Sequence, residues 1–259
     1  MGIVNVTPDS FSDGGKFLTR DLAIAHGRRL ISEGADILDI GGESTRPGAT
    51  PVSVHEELER VMPVLEALIA DGVPISIDTQ KTLVMAAAIK AGASMVNDVN
   101  ALLASGAVEA CSVANTAVCL MHKQGTSATM QHAPDYDDVV AQVTNFLAAR
   151  AKACMDAGIA RECISIDPGF GFGKTPAHNF RLLRELNAQV SLGFPVVAGF
   201  SRKASLGIAT GRIADDRLAA SITAAVLCAQ NGATILRVHD VRETVDALNV
   251  LRAASGQRI

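Results

Sequence analysis

The chain has 259 residues, 48% of them hydrophobic, and a formal net charge of −4. That length suits a single α/β barrel, which takes roughly 250 residues. The acidic balance excludes the basic face of a nucleic-acid binder, and no charge-free apolar run approaches the roughly 20 residues of a membrane span. Asn5, Thr7, Asp9 and Asp13 interrupt any apolar leader core at the start. Five cysteines (Cys111, Cys119, Cys154, Cys163 and Cys228) are odd in number and scattered through apolar runs. They read as reduced core thiols of a cytoplasmic protein, not as a disulfide framework.

Along the chain a short apolar run, a polar loop, an amphipathic stretch and a glycine recur. The predicted strands are Gly2–Val6, Asp36–Ile40, Pro74–Asp78, Ser94–Val99, Ala117–His122, Cys163–Asp167, Pro195–Gly199 and Thr234–His239. Most are rich in Val and Ile, as strands buried on both faces should be. Between them, Leu58, Val61, Leu65 and Leu68 make one helical stripe and Val139, Val143, Phe146 and Leu147 another. Ser53 with Glu56 reads as a capping box. Each helix-to-strand junction offers a residue suited to the left-handed position after a helix: Gly34, Gly72, Gly92, Asn115, Gly158, Gly193 and Gly232. Eight strands alternating with helices imply a parallel sheet. The count of eight, and the lack of a Gly-x-Gly-x-x-Gly turn after the first strand, favour closure into one (β/α)8 TIM barrel over residues 1–259.

Nearly every strand turns polar at its C-terminal end: Asn5, Asp39, Asp78, Asn97 with Asp98, His122, Asp167, Ser201, and Arg237 with His239. That end is the catalytic mouth of such a barrel. Lys203 lies on the loop after strand seven and Arg237 finishes strand eight, beside the loops where barrels bind phosphate; Arg202 reads equally well as a solvated surface residue. Asp78, Asn97 and Asp167 form an acceptor-rich set able to pair with the N–H edge of a flat heterocycle. Two loops, Thr7 to Lys16 and Gly41 to Thr50, carry Pro and Gly and read as lids. The six histidines show no ligand spacing; His26 and His55 read as helix-surface residues. No Gly-x-Ser-x-Gly elbow is present, which argues against acyl-enzyme chemistry.

These residues also occur in strings. Asn5-Val6-Thr7-Pro8-Asp9-Ser10-Phe11-Ser12-Asp13-Gly14-Gly15 and Gly41-Gly42-Glu43-Ser44-Thr45-Arg46-Pro47-Gly48 come first. Ser76-Ile77-Asp78-Thr79, Asn97-Asp98, Met121-His122-Lys123-Gln124-Gly125, Asp167 through Lys174, Ser201-Arg202-Lys203 and Arg237-Val238-His239 follow. In this order, over essentially the whole chain, they resemble the dihydropteroate synthase family.

The resemblance implies a transferase of folate biosynthesis, a sulfonamide target, that joins 4-aminobenzoate to 6-hydroxymethyl-7,8-dihydropterin diphosphate. By similarity, Asp78, Asn97, Asp167 and Lys203 hold the pterin, with Met121, Phe172 and Gly199 around it. Arg237 and His239, with Asn5 through Mg2+, take the diphosphate. Thr45, Arg46 and Pro47, with Ser201 and the helix start after Lys203, shape the aminobenzoate end. Asp13, Asp78, Asp167 and Lys203 are the implied catalytic groups, Asp13 acting from a closing loop. Small-molecule substrates, no nucleic acid, no membrane and a homodimer complete the expectation.

Two positions depart from the family pattern: Thr82 stands where a proline is expected, and Ala204 where a serine is common. A pterin-binding methyltransferase domain or a non-catalytic pterin binder would share the acidic pterin set. The methyltransferase has no use for a diphosphate site, so Arg237, His239 and both long loops favour the synthase; a non-catalytic binder could lose Asp13 and Arg46, and both are present.

Overall fold

A computed structural model describes residues 1–7, 16–45, 48–125, 129–130 and 133–256, with side chains of the second segment from residue 20 onward. Asp13, Arg46, Pro47, His132 and most of the first long loop lie outside the described residues.

The expected strands form, each shorter than expected by a residue or more, with the second shifted to end at Gly41. They are β1 (Gly2–Asn5), β2 (Leu38–Gly41), β3 (Ile75–Asp78), β4 (Met95–Asp98), β5 (Ala117–Met121), β6 (Ile164–Asp167), β7 (Val197–Ala198) and β8 (Ile235–Leu236). β1 to β6 make one parallel sheet in sequence order, and β7 pairs with β8. Two parallel bridges join these pieces into a ring, Ile166 with Val196 and Gly2 with Val238. Ile166 N donates to Pro195 O at 3.0 Å, and Ile3 N to Val238 O at 3.0 Å. The result is the (β/α)8 barrel.

Ten helices are described: α1 (Lys16–Ser32), α2 (Val54–Ile69), α3 (Thr82–Ala91), α4 (Ala107–Val113), α5 (Val139–Asp156), α6 (Pro176–Arg184), α7 (Asn187–Val190), α8 (Ala204–Thr210), α9 (Leu218–Gln230) and α10 (Val241–Ala254). The predicted stripes face the barrel: Val61, Leu65, Leu68, Val143 and Leu147 are wholly buried. Each such side chain contributes roughly 1.5–3 kcal/mol of burial. All seven predicted junction residues lie in the left-handed region, from Asn115 at φ 50° to Gly92 at φ 112°. There a Cβ is strained, so glycine occupies six of the seven.

The capping box at Ser53 forms by half. Ser53 Oγ accepts from Glu56 N at 3.1 Å, but the Glu56 carboxylate turns to Arg60 at 2.5 Å. The reciprocal box sits at α6, where Thr175 and His178 cap each other. His26 also differs from expectation. It is half-buried and its Nε2 lies 3.1 Å from Ile3 O, pinning α1 to β1. His55 is a surface residue as expected. All five cysteines are free thiols.

Candidate active site

Parallel strands direct alternate side chains into the lumen. At its base these are apolar, with Met1, Met95, Cys119 and Val197 packed together beside Ile37 and Ile235. Above them the lumen turns polar and opens, at the C-terminal ends of the strands, into a cavity of about 780 Å3. Of the expected site residues, Asn5, Thr45, Asp78, Phe172, Gly199, Ser201, Lys203, Arg237 and His239 line it. Asn97, Met121 and Asp167 are buried and are not among the lining residues. They remain close: a Cβ added to Gly199 would lie 3.8 Å from both Asp167 Oδ2 and Arg237 Cδ.

Arg237 organises the polar floor. Its Nε donates to Asp39 Oδ2 at 2.6 Å and its Nη2 to Asp78 Oδ2 at 2.7 Å. Asp39 Oδ2 also accepts from Asn97 Nδ2 at 3.1 Å. Burial pushes the Asp78 carboxyl up to about 7 while Arg237 works against that rise. For Arg237, burial acts downward, but the adjacent Asp39 and Asp78 prevail and raise its pKa. Asp39 was legible as a polar strand end but carried no assigned role; it is the hub of this network.

Asp167, at the end of β6, accepts from Gly169 N at 2.7 Å through Oδ1. Burial raises its pKa, against that bond and the nearby Lys203. Lys203 stands 4.1 Å over the Phe172 ring in a cation–π contact. The loop between Asp167 and Phe172 is held by Lys174, whose Nζ lies within 3.3 Å of His122 O, Gly169 O, Phe172 O and His122 Nδ1. Burial drives Lys174 down to about 7 and His122 to about 3, so His122 is neutral near pH 7. Neither residue belongs to the expected site. Lys174 ends the run Asp167 through Lys174, and nothing in that run of sequence announces a buried amine.

After β7 and β8, Ser201 Oγ and His239 Nδ1 lie 3.0 Å apart. Burial, then Arg237 and Arg202, lowers the His239 pKa to about 3, so it too is neutral. Arg202 is tied to Asp240, Nε to Oδ2 at 3.1 Å and Nη2 to Oδ1 at 2.5 Å. The ion pair explains that arginine without a ligand. Lys81 joins Glu43, after β2, to Glu57 of α2 at 2.5 Å. This anchors the loop that carries Thr45, and neither Lys81 nor Glu57 was visible as a site residue. Asp98 points away from the site and caps Asn100 N at 2.7 Å and Leu102 N at 2.8 Å.

Among the described residues, no cluster of three His, Cys, Asp or Glu could hold a metal ion. Asn5 lines the cavity, and its carboxamide makes no hydrogen bond among the described residues. One neutral oxygen suits Mg2+ only where phosphate oxygens complete the shell, which is the usual Mg2+ pattern.

The pterin binding enzyme family profile matches residues 1–239. Dihydropteroate synthase of Escherichia coli (strain K12) is 48% identical over 254 residues, spanning 98% of this chain and 90% of that protein. Xanthomonas albilineans dihydropteroate synthase with 4-aminobenzoic acid is 55% identical, with a TM-score of 0.95 over 100% of this chain and 93% of that one. The same organism's enzyme in complex with 7,8-dihydropteroate is 52% identical, with a TM-score of 0.91 over 100% and 94%. The chain belongs to the dihydropteroate synthase family.

Proposed function

We propose that this chain transfers the dihydropterin-methyl group of 6-hydroxymethyl-7,8-dihydropterin diphosphate to 4-aminobenzoate, releasing diphosphate and forming 7,8-dihydropteroate. The observation that carries the reading is the one cavity wall shared by Asp78, Phe172, Lys203, Arg237 and His239. It is supported by the likeness, along the whole chain, to an enzyme whose structures hold 4-aminobenzoic acid and 7,8-dihydropteroate.

Asp167, Asp78 and Asn97 receive the N–H edge of the pterin, Lys203 meets its carbonyl side, and Met121 and Phe172 wall the ring. Neutral His239 and the cationic Arg237 take the diphosphate. Asn5 would hold Mg2+, which when bound would neutralise charge on the departing diphosphate. The exocyclic carbon–oxygen bond breaks with its electron pair going to diphosphate. Buried carboxylates at Asp167 and Asp78 stabilise the cation left on that carbon, fixed charges doing this without the reorganisation water would need. The neutral aniline nitrogen then forms the new carbon–nitrogen bond and releases one proton. Thr45, Arg46 and Pro47 shape the aminobenzoate end, and Asp13 shields the cation from its loop.

The same reading carries one domain over residues 1–259, a cytoplasmic location and a homodimer. Five free thiols support the location, and no helix among the described residues is long and apolar enough to cross a membrane. Sedimentation of the purified chain checks the dimer. The reaction is checked by coupled diphosphate release with and without 4-aminobenzoate and Mg2+. Release should require both; pterin binding with no release would refute the transferase reading.

A further inference from the structure

Asp39 is fully buried in the lumen, on β2. Both of its hydrogen bonds converge on one oxygen: Oδ2 accepts from Arg237 Nε at 2.6 Å and from Asn97 Nδ2 at 3.1 Å. Oδ1 is buried without a hydrogen-bond partner, and so is Oγ of Ser76, its register neighbour on β3. The carboxylate is therefore turned by Arg237 and Asn97 and not by its own surroundings.

An ionised carboxylate only accepts, so the end of the Asn97 amide that faces it must be the nitrogen. A flipped amide would set a carbonyl oxygen against a carboxylate oxygen with water excluded, an unpaired arrangement that burial makes costly. The amide is thus locked one way round. Its carbonyl oxygen is left on the other side, with no hydrogen bond among the described residues. A ligand that reaches Asn97 meets an acceptor there, beside the acceptors Asp78 and Asp167.

We infer that Asp39 is a positioning residue that sets the hydrogen-bonding sense of the pocket. By fixing Asn97 and Arg237 from one oxygen, it makes the pocket select a ring edge rich in N–H donors, an amino-substituted ring bearing a ring N–H. The inference rests on the pterin reading above and adds to it the residue that decides which edge is read. Asp39 touches no ligand on this account; it acts through Asn97.

A binding cycle on the full chain tests this, with 6-hydroxymethylpterin as the titrated ligand and Asp39→Ala, Asn97→Ala, their combination and Asp39→Asn as variants. Asp39→Ala should weaken binding about tenfold, as loss of an oriented hydrogen bond does. In the Asn97→Ala background the same change should cost less than about twofold, because residues acting through each other are not additive. Asp39→Asn should stay within about threefold of the parent, since its one carbonyl oxygen can take both donors at the Oδ2 position. If Asp39 only neutralised Arg237, the asparagine would be as damaging as the alanine, and the losses at positions 39 and 97 would add. Additive losses, or an Asp39→Ala variant with parental affinity, would overturn the inference. Should Asp39→Ala fail to fold, Asp39→Ser takes its place, its hydroxyl being too short to reach both donors. No binding to the parent chain, or parental affinity in Asn97→Ala, would overturn the pterin reading and this inference with it.

Discussion

Arg237 and Asp39 are separated by 198 positions in sequence and by 2.6 Å in space. Closing the ring between β8 and β1 is what brings them together, and with Asp78 they form a charge triad in which Asp39 is wholly and the other two largely buried. Removing the cation leaves two carboxylates without compensation. Arg237→Ala should therefore lower unfolding free energy by about 3–5 kcal/mol, measured by urea titration at pH 7. From the sequence, Arg237 was expected to serve the diphosphate and spare the fold. A variant as stable as the parent would restore that simpler role.

Asp167→Asn should damage binding more than stability. The carboxylate already has one fixed donor, Gly169 N at 2.7 Å, which an asparagine oxygen can keep. What is lost is charge-assisted pairing to ligand N–H groups, about 1.5–3 kcal/mol per bond. Calorimetric titration of the pterin beside a thermal melt reads both quantities. Near-parental affinity in this variant would remove Asp167 from the pterin site.

Asp78 should leave a mark on stability against pH. Burial raises its pKa from 3.8 to about 7. Between those values the native state keeps a proton that the unfolded chain sheds. The contribution is fully present below pH 3.8 and is lost as pH rises through about 7. Asp78→Asn cannot titrate, so its stability relative to the parent should climb across that window. Parallel unfolding curves at each pH would show that Asp78 titrates normally.

Lys174 should act in the opposite sense and at higher pH. Burial lowers it from 10.5 to about 7, so in that interval the unfolded chain binds the extra proton. Stability from this group rises as pH climbs from about 7 to 10.5. Lys174→Met should flatten the rise. Because the ammonium gathers Gly169 O and Phe172 O, the same variant should also weaken pterin binding. A parental pH profile together with parental affinity would contradict both statements.

Much of the fold was legible because its signals are local. Apolar runs of strand length, helical stripes and a residue tolerant of the left-handed region at each junction are set by neighbours in sequence. The ordered strings at the strand ends likewise marked Asp78, Asn97, Asp167, Lys203 and Arg237, since the end of a barrel strand is a place the sequence can point to. Local signals also failed in local ways. Ser53 and Glu56 have the spacing of a capping box, yet Arg60 lies one turn on and takes the Glu56 carboxylate at 2.5 Å.

Tertiary structure alone decided which of those polar groups meet. Whether Arg202 serves a ligand or Asp240, whether Lys174 is solvated or enclosed by carbonyl oxygens, and which way the Asn97 amide faces all depend on partners far along the chain. Sequence determines that a charge exists; burial and the closing of the ring determine what must neutralise it. A buried charge or amide tolerates few arrangements, and Asp39, legible only as one polar strand end among several, becomes the residue on which Asn97 and Arg237 both depend.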